Sequence, residues 1–206
     1  MRLTAACLTA ALFGPVAAAP ARAQIEQDAA TGIVTCTTTA GNYTRRIITG
    51  VGDDGRIGGM VRLVRPDSDS RFPAAAGFII KEASARHAGV EVALRPGTTD
   101  RIVYGAKMPG ERSLLELGEA AANLWFPLAI SIANGTMTIQ IGQHVTRGRV
   151  RLNGPLQPII HCNSGTWEFR LNPGLGLGEV PVNVRPNAPP AHAPDGDGPS
   201  PSGPSR

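Results

Sequence analysis

The chain predicts an all-β fold, an antiparallel sandwich of two sheets, and three observations carry that prediction. Apolar and polar residues alternate with a period of two through most of residues 32–172, the pattern of strands that bury one face. Gly, Pro, Asn and Asp recur between these segments at short intervals, so turns rather than crossover helices join them. Two cysteines, Cys36 and Cys162, stand at opposite ends of the block, where a bond between them would set early and late strands side by side.

The two ends of the chain read differently from the block. Residues 1–23 open with Arg2, continue through a short run of small and apolar residues, and close on Ala21-Arg22-Ala23. That is the three-part pattern of a secretory signal peptide, and the run is too short to span a bilayer. No later run reaches the ~20 apolar residues of a transmembrane segment. Residues 24–31 are a short polar lead-in. Residues 173–206 hold nine of the eighteen prolines and almost no large apolar side chain, so they predict a disordered, proline-rich tail. About 140 residues remain, enough for one hydrophobic core. Export places the protein in the periplasm or outside the cell.

The strand candidates run in order 33–39, 43–49, 57–64 and 76–82. Val90, Val92 and Leu94 then alternate with Glu91, Ala93 and Arg95, and a Pro96-Gly97 turn leads to Arg101–Tyr104. Ser113 to Leu124 is the one helix candidate, weakened by Gly118. The clearest unit is Leu128–Ala133, Asn134-Gly135, Thr136–Ile141. Asn-Gly favours the left-handed backbone that a two-residue hairpin turn requires. With Ala133 opposite Thr136, the pairs Ile132–Met137, Ile130–Ile139 and Leu128–Ile141 share one face, and a slip of one residue would mix the faces. Thr146, Gly148, Val150 and Leu152 then share a face opposite Arg147, Arg149 and Arg151. Segments 158–162 and 167–171 complete the set. Export favours a Cys36–Cys162 disulfide. Closing a loop of over a hundred residues, it brings the chain's ends into one sheet, the topology of a jelly roll.

The run Leu115-Glu-Leu-Gly118, Leu124-Trp125-Phe-Pro-Leu-Ala-Ile-Ser-Ile, Asn134-Gly135-Thr-Met-Thr-Ile-Gln-Ile-Gly142 resembles the central stretch of laminin-G-like domains. Cys162-Asn-Ser-Gly165-Thr-Trp-Glu-Phe-Arg170-Leu171 is similar to their terminal strand. Those domains belong to the concanavalin A-like lectin/glucanase superfamily. The resemblance spans residues 33–172 and implies a jelly-roll sandwich and, faintly, carbohydrate binding. The Glu-x-Asp-x-x-Glu strand of the family's glucanases is absent, which argues against that activity.

Composition narrows function further. Removing Arg2 and Arg22 with the first 23 residues lowers the net charge from +4 to +2, too little to make nucleic acid an expected partner. Glycoside hydrolysis needs two carboxylates across a scissile bond. Glu91 and Glu168 read as exposed strand residues, and Glu111, Glu116 and Glu119 as acids near a turn. His87, His144, His161 and His192 show no zinc-site spacing. Asp67-Ser-Asp69-Ser70 and Asp53-Asp54-Gly55 read as polar turns, so neither a metal nor another cofactor is expected. Trp125 and Trp167, each beside apolar strand residues, read as core. The stripe Arg147, Arg149, Arg151 has two readings. It grips carboxylates or sulfates of a polymer bidentately, or it is a solvated face balanced by acids on the next strand. The sequence therefore predicts a non-catalytic binding module for a glycan or other envelope component, with the arginine face making contact. A polysaccharide-active enzyme, hydrolase or lyase, and a purely structural envelope protein are the alternatives.

Overall fold

The computed structural model describes residues 23–52, 55–67, 72–82, 87–109, 114–152 and 155–182. The expected signal peptide lies outside them apart from Ala23, as do Asp53, Asp54 and residues 68–71, where polar turns were expected from Asp53-Asp54-Gly55 and Asp67-Ser-Asp69-Ser70. Twelve antiparallel strands make up the described fold: β1 (Gln24–Gln27), β2 (Ile33–Thr49), β3 (Ile57–Pro66), β4 (Ala75–Glu82), β5 (His87–Leu94), β6 (Arg101–Lys107), β7 (Leu115–Ala121), β8 (Phe126–Ala133), β9 (Thr136–Ile141), β10 (His144–Arg149), β11 (Leu156–Leu171) and β12 (Gly176–Val182).

Two long strands serve both layers. Residues 165–171 of β11 pair with β3, and residues 156–163 pair with β4. β2 follows β11 throughout, its first half beside 165–170 and its second beside 159–163. Sheet A is therefore β10-β9-β8-β3-β11-β2-β1, and sheet B is β12-β2-β11-β4-β5-β6-β7. The chain turns from one sheet to the other at Gly41, with φ 78°, and at Ser164-Gly165, with φ 48° and 151°. Gly41 N–H donates to Ser164 Oγ at 3.1 Å and Gly165 N–H to Thr38 Oγ1 at 3.3 Å. Cys36 bonds Cys162 at this corner, their Cα atoms 6.3 Å apart. The bond joins neighbouring strands but not facing residues, since Cys36 pairs with Trp167 and Cys162 with Thr44. It ties sheet A to sheet B through the core, where both cysteines are fully buried.

The inner faces follow the predicted alternation. Ile57, Val61, Leu128, Ile130, Met137 and Ile139 from sheet A meet Phe78, Ile80, Val90, Val92 and Ile102 from sheet B. Phe78–Phe169 and Tyr104–Phe126 are ring contacts across the interface, centroids 5.7 and 4.7 Å apart. The β8–β9 hairpin has the predicted register at every pair, with Asn134 and Gly135 at φ 51° and 69°.

Three expectations are corrected. The helix proposed for 113–124 is the strand β7 in its described part. Gly118 lies under the Tyr104 ring, where an added Cβ would strike the phenol, so tertiary packing on β6 decides the conformation. Segments 33–39 and 43–49 are one strand, as are 158–162 and 167–171, because glycine at each bend keeps the ladder continuous. The lead-in and the start of the expected tail are paired onto β2 as β1 and β12. Arg46 links those two strands, donating to Ile25 O at 2.9 Å and Gly178 O at 2.6 Å. The rest of the tail lies outside the described residues. Among the described residues no helix is long and apolar enough to cross a membrane.

Candidate functional site

Register assembles on the outer face of sheet B a set of side chains that is dispersed along the sequence. Arg45, His161, Gly77, Glu91, Gly105 and Glu116 occupy one row across β2, β11, β4, β5, β6 and β7. Tyr43 lies one step along β2 from Arg45, and Lys107 one step along β6 from Gly105, steps of about 7 Å that keep the same face. The two glycines are needed for strand approach. A Cβ on Gly77 would strike the carbonyl oxygen of Val90, and one on Gly105 that of Leu115. Glu91 consequently stands between two strands that present no side chain in its row.

The row behaves as one electrostatic cluster. Burial pushes the Glu91 carboxyl above the usual range, partly opposed by Lys107 and His87. Burial pushes His161 down to about 3, with Lys107 and His87 adding to the effect. Tyr43 is pushed up to about 12 by burial, with Arg45 opposing and Glu91 assisting. The Tyr43 and His161 rings lie 5.6 Å apart. His161 is 6% exposed, and its Nε2 has no hydrogen-bond partner among the described residues. A neutral imidazole, a neutral phenol and a carboxyl biased to its neutral form thus share a face with the cations of Arg45 and Lys107. The three neutral groups both donate and accept hydrogen bonds, and the two cations only donate.

This face corrects the reading of Glu91 as a solvated acid. Glu168 also departs from it, bound to Arg62 Nη2 at 2.6 Å, and Glu119 pairs with Arg95 and Arg101. Trp167 is core, fully buried. Trp125 is not. It is half-buried on the outer face of sheet A, with the guanidiniums of Arg62 and Arg170 at 4.7 and 4.4 Å from its ring.

The arginine stripe lies on sheet A. Arg147 faces Thr138 and Arg149 faces Thr136 across the β10–β9 ladder, so no acid on the adjacent strand balances them. Arg151 falls two residues past the end of β10, and the structure does not group it with the strand's arginines. Arg147 instead shares a depression of about 200 Å³ with Arg56, Ser131, Thr138, Gln140 and Val145. Among the described residues no group of three His, Cys, Asp or Glu side chains is placed to hold a metal ion.

The chain matches no protein-family model, and no curated protein matches it. Solved structures with a similar fold include a carbohydrate-binding module, CBM66, from Bacillus subtilis, at 10% identity and TM-score 0.46, covering 72% of this chain and 89% of that one. A Bacillus licheniformis β-glucanase is 7% identical with TM-score 0.42, covering 76% of this chain and 82% of the enzyme. The CBM2 module of the evolved Dit of Lactobacillus casei BL23 phage J-1 is 7% identical with TM-score 0.40, covering 68% of this chain and 66% of that module.

Proposed function

We propose that this protein is an exported binding module for a glycan of the cell envelope or its surroundings, and that the outer face of sheet B makes the contact. The observation that carries the reading is the row centred on Glu91, flanked by Gly77 and Gly105 and continued by His161. A sugar presents hydroxyls that donate and accept at once, around an apolar ring face. Neutral hydrogen-bonding groups suit the hydroxyls, the Tyr43 ring suits the face, and the glycine gaps leave room beside Glu91. The laminin-G-like resemblance of the Trp125 and Asn134-Gly135 stretches belongs with this reading, as does a periplasmic or secreted location for a chain with a Cys36–Cys162 disulfide.

A glycan array probed with the oxidised protein should show retention that Glu91→Gln and Tyr43→Ala each weaken by about tenfold or more, the effect of losing one or two good hydrogen bonds. Retention unchanged in both variants, or none at all, refutes the reading.

One observation favours a second reading, an enzyme acting on a polysaccharide. Glu91 and Glu116 face the same side in one row with Gly105 between them. Two strand spacings put their backbones about 9.5 Å apart, near the separation that inverting glycosidases use, and a raised carboxyl is the property of a general acid. Release of reducing ends from polysaccharide, abolished by Glu91→Gln and by Glu116→Gln, would establish it. Retention without release leaves the binding module.

A further inference from the structure

A depression of different chemistry lies on the opposite side of the sandwich. Its floor is set by small residues: Gly58 faces Ala129 across β3 and β8, and Ala129 faces Gln140 on β9. A Cβ on Gly58 would sit 2.6 Å from that of Ala129, so the floor stays low. One wall is Arg56, whose Nη2 donates to Gln140 Oε1 at 2.8 Å. Because a guanidinium only donates, this bond fixes the amide orientation and turns the Gln140 NH2 into the remaining donor. The other wall is the row Arg147, Thr138, Ser131, one residue from each of β10, β9 and β8.

The described lining is two guanidiniums, one amide donor and two hydroxyls, beside the apolar side chains of Ala129, Ile130 and Val145. Arg147 has no hydrogen bond or ion pair among the described residues. Donors on two sides of a small depression, with the Arg147 guanidinium among them, suit an anion with several oxygens. Its volume of about 200 Å³ admits one such group rather than a whole sugar chain. Arg149, about 7 Å further along β10 by strand rise, extends the charge along the edge in the direction a polymer would run.

We propose that this depression binds a carboxylate or sulfate group carried by an acidic polysaccharide, with Arg147 gripping the oxygens, the Gln140 amide that Arg56 orients donating from the other side, and Ser131 and Thr138 completing the hydrogen bonds. This goes beyond the glycan reading of sheet B, shares no residue with it, and stands if that reading fails.

The test uses the oxidised full chain, sulfated dextran and polygalacturonate as polymers, and inorganic sulfate and acetate as free anions, with isothermal titration at constant ionic strength. Wild type should bind at least one polymer, and Arg147→Ala should weaken that binding about tenfold or more, as expected for charged hydrogen bonds. Arg147→Lys, which keeps the charge but loses the fork, should also weaken it. Arg65→Ala, at the exposed far end of β3 and outside both sites, removes the same charge and should leave it within about twofold. Sulfate displacing the polymer better than chloride at equal ionic strength marks the oxyanion as the recognised group. Binding of the free anions as tight as that of the polymers would assign the site to a free oxyanion and overturn the polymer claim. Equal losses from Arg65→Ala and Arg147→Ala, or full binding by Arg147→Lys, would reduce the site to diffuse charge and overturn the proposal. No binding to either polymer overturns it outright, whatever a neutral-glycan array shows.

Discussion

Acidification should destabilise this protein through one residue, His161, and the size of the effect follows from its position. The imidazole is buried on sheet B and held at about 3, against an ordinary value of 6.5. Between those values the unfolded chain binds a proton that the folded chain refuses, so stability rises with pH across that window. The contribution is fully present above about 6.5 and is lost as pH falls toward 3. At about 1.36 kcal/mol per unit, the full traverse is worth on the order of 5 kcal/mol, a large part of the 5–15 kcal/mol typical of a domain. Glu91 acts with the opposite sign. Its raised carboxyl keeps a proton that the unfolded chain releases above 4.5, so its contribution is present at low pH and fades as pH rises. The comparison therefore belongs in a Glu91→Gln background. Urea unfolding at pH 4, 5, 6 and 7.5 should show Glu91→Gln losing stability steadily on acidification, and Glu91→Gln/His161→Gln losing much less. Parallel slopes for the two proteins would refute the burial argument for His161.

The remaining predictions concern the frame around the sites. Replacing Cys36 and Cys162 with alanine opens a loop of 126 residues and should lower unfolding stability by about 4–5 kcal/mol in urea titrations; a loss under 1 kcal/mol would contradict the role of the bond between sheets. Gly118→Ala drives a Cβ into Tyr104 and should destabilise by about 1–3 kcal/mol, seen as a lower Tm, whereas an unchanged Tm would contradict the packing. Arg62→Ala removes a half-exposed ion pair with Glu168 and the contact with Trp125, so stability should fall by about 1 kcal/mol or less. The same change should alter the fluorescence of Trp125 while buried Trp167 stays constant, which a Trp125→Phe background checks.

The strands and their inner faces were legible because alternation is a local property. The β8–β9 register came from Asn134-Gly135 and six alternating pairs, all within fourteen residues. The length of β2 and β11 was harder to read, since Gly41 and Gly165 look like strand ends and act as bends that a neighbouring strand spans. Gly118 misled for the opposite reason: it signals a poor helix, but only its contact with Tyr104 fixes the strand. The sheet B row was invisible because it depends on the pairing order of six strands from residues 43 to 161, and no local pattern encodes that order. The alternation of Glu91, Ala93 and Arg95 with Val90, Val92 and Leu94 did place Glu91 on the face opposite the valines, yet its neighbours in the row, Gly77 and Gly105, come from β4 and β6. The arginine stripe has Arg147 and Arg149 on β10 and Arg151 beyond the strand. Its partners Arg56 and Gln140 lie 84 residues apart, out of reach of any sequence spacing.

The claim that sheet B carries the glycan contact is tested most directly by amide NMR of the oxidised protein titrated with neutral oligosaccharides of glucan, xylan and mannan type. Saturable shifts for at least one of them should centre on Tyr43, Gly77, Glu91, Gly105 and His161, with Thr138 and Arg147 on sheet A unmoved. Shifts confined to sheet A, or none with any of the three sugars, would contradict it.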